Sequence, residues 1–436
     1  MRALGTATLS GGQTASRGGL LLACAGMWAG IALILLAIVD ARRALLFENL
    51  TGLWAYWLRT PYAAFSLGQA ALWLLGLALA STSFLVLRKR EPSAPIEEKR
   101  RAAAATGVVL LILLVVDLFA YRGVAAGRTI TTGNLSAAWL DGLGWSGGWK
   151  PVGVALAYGL TVWHATFLGL LLSGLAMVYL PSRLEPFASR SGLSGSLWGT
   201  AFAVPQPFCS CCAAAWAPTL VRRGASSEFL LSFVVASPMV NVTTLILAAT
   251  LLPFRYALLR IVSGIALPAL LAYGVVRLAG GRPRPIRCIS EPTTTSGSPT
   301  FDGNAPSSPS QLVVRWLASS AKLALWFVPV MLAVSAAAAW LFEMLPGGCV
   351  NNLGSVLVAS IGGTLLMVST WSEIPLAHQL IASGCYAPAA TLLVVLPPVS
   401  LPCLAILSTC TGQWRQAVLL GIAVMIVGVL VGVCFL

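Results

Sequence analysis

Residues 201–224 read AFAVPQPFCSCCAAAWAPTLVRRG, the centre of an apolar stretch (196 to 221) that is broken by Pro205 and Pro207 and closed by Arg222, Arg223 and Gly224. Proline lacks an N–H and its ring clashes with the preceding turn, so a helix entering this stretch ends at the prolines. A new half-helix is then expected to begin near Cys209–Cys212. Backbone groups freed at such a break must face protein or a wet cavity rather than lipid. A second stretch of the same kind, 352 to 383, is interrupted by Thr370-Trp371-Ser372-Glu373-Ile374-Pro375.

Around these two stretches the chain consists of uninterrupted apolar runs. Of its 436 residues 58% are hydrophobic and 9% charged, against about a quarter charged in soluble domains. A water-facing surface cannot be built from 27 Lys+Arg and 13 Asp+Glu at this length, so the chain reads as an all-α polytopic membrane protein. Apolar runs long enough to cross a bilayer fall near 19 to 39, 64 to 87, 103 to 121, 153 to 180, 229 to 250, 255 to 277, 314 to 345, 387 to 410 and 414 to 435. That predicts about nine transmembrane helices plus two re-entrant or broken hairpins.

The net charge of +14 would suit a nucleic-acid binder, but the bases lie between spans. Arg88, Lys89, Arg90, Lys99, Arg100 and Arg101 crowd one loop, and Arg277, Arg282, Arg284 and Arg287 begin another, which places both in the cytoplasm. Four regions follow: an extra N-terminal transmembrane region over 1–150, a first repeat over 151–278, a disordered cytoplasmic linker over 279–312 that is rich in Pro, Ser, Thr and Gly, and a second repeat over 313–436. The first span, followed by Asp40, Arg42 and Arg43, reads as a signal anchor with the N-terminus inside. Localisation is thus a multi-pass inner-membrane protein with the lipid bilayer as its constant partner. Nucleic acid is excluded, and self-association as a homo-oligomer is left open.

The repeat is visible as one offset. Gly224 and Gly384 lie 160 residues apart, as do Pro238 and Pro398, Leu220 and Leu380, Ala217 and Ala377, and Arg255 and Arg415. Shared punctuation at one offset marks an internal duplication. Arg222 and Arg223 correspond to the uncharged Ala382 and Ser383, as expected if the two copies have opposite orientation. Inverted repeats with broken helices are a transporter signature, the site lying between the repeats near the midplane.

Within that frame the chemistry-bearing residues are few. Cys209, Ser210, Cys211 and Cys212 are expected at a half-helix N-terminus, whose partial positive charge lowers a thiol's pKa and suits a thiophilic ligand. Cys24, Cys403, Cys410 and Cys434 read as small buried hydrophobes. CxCC is not a closed zinc motif, so no structural metal and no cofactor is expected. Glu373 is an acid inside an apolar stretch and reads as functional, with His378 about a turn beyond as its partner in proton coupling. Asn241, after the Ser237-Pro238 break, is placed either to cap freed backbone or to contact substrate. Asp117 and His164 are the other titratable groups at membrane depth, and Asp117 reads equally well as interfacial. Pro205, Pro207, Gly224, Pro238, Gly384 and Pro398 are the expected hinges or helix breaks.

Pro207-Phe208-Cys209-Ser210-Cys211, followed by Leu220, Gly224, Phe229-Leu230, Pro238 and Asn241, resembles the predicted permeases that include the ArsP-type organoarsenical efflux permeases. The resemblance covers about 150 to 277 and, more weakly, 314 to 435. Cys212 stands where the family pattern has Gly, and Val242 where Pro often follows Asn. The resemblance implies secondary transport across the inner membrane and, for characterised members, trivalent organoarsenical substrates.

The expected function is therefore a non-enzymatic permease, a secondary transporter of a thiophilic metalloid, metal or small organic ion. The alternative is a membrane thiol–disulfide enzyme using Cys209, Cys211 and Cys212. The sequence contains no G-x-x-x-x-G-K-[ST] loop for nucleotide and no HExxH signature.

Overall fold

The computed structural model describes residues 17–46, 56–59, 64–132, 143–179, 185–206, 208, 210–214, 216–222, 224–280, 306–344, 350–365 and 373–436. The N-terminal region contains α1 (Arg17–Leu46), a short antiparallel pair of β1 (Tyr56–Arg59) and β2 (Ala64–Ser66), then α2 (Leu67–Arg90) and α3 (Ile96–Thr132). Next come α4 (Lys150–Val178), α5 (Glu185–Ala188), α6 (Gly192–Ala203), α7 (Ser210–Ala214), α8 (Ala217–Arg222), α9 (Ser227–Met239), α10 (Val242–Leu251) and α11 (Phe254–Ala279). The remainder is α12 (Pro309–Met344), α13 (Leu353–Leu365), α14 (Glu373–Ala382), α15 (Tyr386–Val395), α16 (Leu401–Thr411) and α17 (Trp414–Val433).

Among the described residues seven helices are long and apolar enough to cross a membrane, namely α1, α2, α3, α4, α11, α12 and α17. The pair α9 and α10, bent by 42°, makes an eighth if taken as one span. The expectation of nine is corrected at 387 to 410. That run is split into α15 and α16, of ten and eleven residues, around Leu396–Ser400. Pro397 and Pro398 lie in the gap, where neither can donate to the helix ladder. The linker is also shorter than expected at both ends, since α11 continues to Ala279 and α12 begins at Pro309; residues 281–305, like 1–16, lie outside the described residues.

In the N-terminal region α1 lies against α2 at closest approach through glycines. A Cβ on Gly30 would sit 2.5 Å from the Ala80 nitrogen, and one on Gly76 would sit 2.7 Å from the Gly30 carbonyl oxygen. Gly26 and Gly30 are four residues apart on one face, the spacing that lets helix backbones approach in lipid. Ser66 caps α2 with Gln69 in a reciprocal box, and the Gln69 amide also donates to Asp40 Oδ2 at 2.8 Å. Polar contacts are among those that tie this region to the rest. His164 Nε2 of α4 meets Asp117 Oδ2 of α3 at 3.2 Å, both buried, which places Asp117 inside the protein rather than at an interface. Glu91 receives the Ser310 N–H (3.2 Å) and hydroxyl at the start of α12. Beyond it, α12 packs along α4, where a Cβ on Gly174 would lie 2.8 Å from the Ser320 nitrogen and Trp316 Nε1 donates to the Leu171 carbonyl at 2.8 Å.

The 160-residue offset has a local structural counterpart. After α8, Gly224 (φ 80°) ends the helix with its N–H on the Val221 carbonyl and the Ala225 N–H on the Leu220 carbonyl. After α14, Gly384 (φ 82°) does the same with Ile381, and Cys385 with Leu380. This paired closure needs a left-handed residue, which glycine supplies without strain. Phe254 and Trp414, also 160 apart, are the first residues of α11 and α17. Helix α6 packs on α9 and α11, and α13 packs on α15 and α17. Farther apart in sequence, α7 and α8 pack on α16, while α14 packs on α10.

Candidate functional site

The α9–α10 break is built by one asparagine. Helix α9 runs to Met239 with Pro238 in its last turn, and Asn241 opens α10 as its N-cap. Asn241 Oδ1 accepts from the Thr244 N–H and the Thr244 hydroxyl, both at 2.9 Å, while Nδ2 donates to the carbonyls of Ser237 (3.2 Å) and Pro238 (3.4 Å). An amide offers two donors and two acceptor sites, so all of Asn241 is engaged in holding the break. Of the two roles expected for Asn241, capping is the one this geometry assigns, and no hydrogen-bonding capacity is left for a substrate.

Against the same break lies a charge that the sequence reading missed. Arg260, on α11, is 0% exposed, and its Nη2 donates to Glu373 Oε1 at 2.9 Å and to the Pro238 carbonyl at 3.2 Å. Glu373 is 1% exposed and is the first residue of α14. A carboxylate there is favoured by the partial positive charge of the helix N-terminus as well as by the guanidinium. The pair joins α11 to α14. Its counterparts at the 160 offset are Leu420 for Arg260 and Ala213 for Glu373, so the ion pair exists on one side only. The missed signal was a basic residue well inside the run 255 to 277, where Arg is as costly as Glu is in its own stretch.

His378 is not placed as expected. It lies five residues past Glu373 on α14, which turns it about 140° around the helix axis, so the two do not share a face. The carboxylate is turned to Arg260 instead. Pro205 lies in the turn after α6, and α7 opens at the buried Ser210. Phe208 and Trp216 bracket α7 with ring centroids 5.2 Å apart, and Trp216 also meets Phe233 of α9 at 6.2 Å. Pro207 and Cys209 lie outside the described residues, and for Cys211 and Cys212 only the helical backbone of α7 is described. Pro238 and Pro398 mark the breaks before α10 and α16, and Gly224 and Gly384 the two left-handed turns. Cys385, beside the second turn, is disulfide-bonded, while Cys24, Cys403 and Cys434 are not; Cys24 and Cys403 are buried, and Cys434, expected to be buried, is exposed near the end of α17. Among the described residues no three His, Cys, Asp or Glu side chains are grouped so as to hold a metal ion.

Comparison with known proteins matches residues 154–436 to the model of a family described as predicted permease. The chain is 31% identical over 284 residues to the UPF0718 protein YraQ of Escherichia coli (strain K12), an alignment that covers 64% of this chain and 78% of that protein. No solved structure matches.

Proposed function

The chain belongs to the predicted permease family, and on that premise we propose a secondary transporter of two oppositely oriented halves whose site lies between them. The halves are 151–278 and 313–436; the region over 1–150 is an addition docked through Asp117–His164 and Glu91–Ser310. The observation that carries this reading is the buried Arg260–Glu373 pair, a charge from each half set against the broken span α9–α10. Charged groups at membrane depth mark substrate or ion pathways by default.

Two features support a duplicated arrangement and a third supports its opposite orientation. The Gly224 and Gly384 turns carry the same hydrogen bonds 160 residues apart. Each returning hairpin packs on the second helix of the other half's broken span, α8 on α16 and α14 on α10, as a twofold relation between halves requires. Arg222 and Arg223 mark the first turn as cytoplasmic, whereas the second has Ala382, Ser383 and the disulfide-bonded Cys385, and disulfides persist in oxidising compartments.

In this reading the cargo is a thiophilic metalloid, metal or small organic ion, with organoarsenicals as the first class to test. Cys209, Ser210, Cys211 and Cys212 guide it at the entrance to α7, and Glu373 carries the coupling proton when it leaves Arg260. The thiol–disulfide enzyme alternative gains no support from the described residues. The test is proton-gradient-driven uptake of a trivalent organoarsenical into everted vesicles, comparing the wild-type chain with Cys211→Ser and Glu373→Gln. Both variants are expected to lose most of the uptake; unchanged uptake in both overturns the mechanism.

A further inference from the structure

Only part of the Arg260 guanidinium is used. Nη2 holds Glu373 and the Pro238 carbonyl, whereas among the described residues the buried Nε and Nη1 have no hydrogen-bond partner. Nη2 belongs to both donor forks of a guanidinium, with Nε completing one and Nη1 the other. Arg260 therefore reaches Glu373 through one N–H where its own forked grip is available. An unmade hydrogen bond on a buried charged donor is costly, and a static structural ion pair would be expected to close the fork.

The surroundings favour negative charge. Helix α14 begins at Glu373, and α10, on which it packs, begins beside the Pro238 carbonyl that Arg260 touches. Helix N-termini of this kind attract anions, and in broken-helix transporters they face the anionic groups of substrates. A second oxyanion cannot be added to a neutral pair in a dry site without uncompensated charge. It can replace the carboxylate already there.

We propose that Arg260 is the receptor for an anionic oxygen group on the transported molecule, a carboxylate or a phosphonate-like oxyanion, and that Glu373 is a resident carboxylate which this group displaces. The arriving oxyanion engages Nη2 together with Nε or Nη1, so that Arg260 donates two bonds to it where it donates one to Glu373. The proposal rests on the transporter reading above and names its substrate class: a molecule with an anionic oxygen end.

The test uses the purified full-length chain in detergent, with melting midpoint read against concentration of benzoate or phenylphosphonate and of neutral benzamide. At least one of the two anions is expected to raise the midpoint saturably, and benzamide is not. Glu373→Gln, which removes the competing charge, is expected to bind that anion at least tenfold tighter. Arg260→Lys keeps the charge but loses the fork, and is expected to weaken binding at least tenfold. Saturation by neither anion, or Glu373→Gln binding no tighter than wild type, overturns the proposal. If Glu373→Gln does not fold, equal shifts in wild type and Arg260→Lys overturn it. Vesicle uptake that depends on Glu373 without any anion binding leaves the transporter reading standing and removes only this inference; anion binding at Arg260 without uptake does the reverse.

Discussion

Replacing Glu373 by Leu strands Arg260, which has no solvent exposure. Breaking a buried ion pair by deleting one partner typically costs about 3–5 kcal/mol, because the remaining charge is uncompensated. The upper half of that range is expected here, since the pair is only 2.9 Å long and Arg260 retains just the Pro238 carbonyl as a described acceptor. Removing both charges together is different. Replacing a buried pair by apolar residues is often neutral or stabilising by about 1–4 kcal/mol. Arg260→Leu/Glu373→Leu is therefore expected to unfold within about 1 kcal/mol of wild type or later, which gives a coupling of about 3 kcal/mol or more in a double-mutant cycle. Denaturant titration of the purified chain in micelles measures all four corners. A Glu373→Leu cost below about 1 kcal/mol, or a coupling near zero, would refute the claim that these two charges depend on each other.

Asn241→Ala should destabilise the chain by about 1–2 kcal/mol in the same titration, since an N-cap and two further hydrogen bonds at the α9–α10 break are lost together. Gly224→Ala and Gly384→Ala should each cost about 1–2 kcal/mol, and by similar amounts, because both positions are left-handed with φ of 80° and 82°. Gly30→Leu should separate α1 from α2, whose Ala80 nitrogen would then lie 2.5 Å from the new Cβ; limited proteolysis of the chain should become faster, while anion-dependent melting remains.

How far the sequence carried these conclusions depends on which residues do the work. Long apolar runs and the charge clusters between them were readable because a bilayer imposes both length and the location of bases. The two matching turns were readable because Gly224 and Gly384 are the residues that take the left-handed conformation there. The count of spans was overestimated where Pro397 and Pro398 divide an apolar run whose composition gives no other warning. Glu373 stood out as an acid among apolar neighbours, but its partner did not. Arg260 lies inside the run 255 to 277, and no acid near it in sequence points to a partner. Pairing across 113 residues of sequence is set by the packing of α11 near α14, which no local pattern encodes. His378 was nearer in sequence and lost on helical geometry.

Opposite orientation of the halves is the claim on which the site between them depends. It is tested most directly by labelling single cysteines introduced at matched positions, Arg223→Cys and Ser383→Cys, with a membrane-impermeant maleimide. The account predicts that Arg223→Cys is labelled in everted vesicles and not in intact cells, and that Ser383→Cys is labelled in intact cells and not in everted vesicles. Labelling of both from the same side would contradict it.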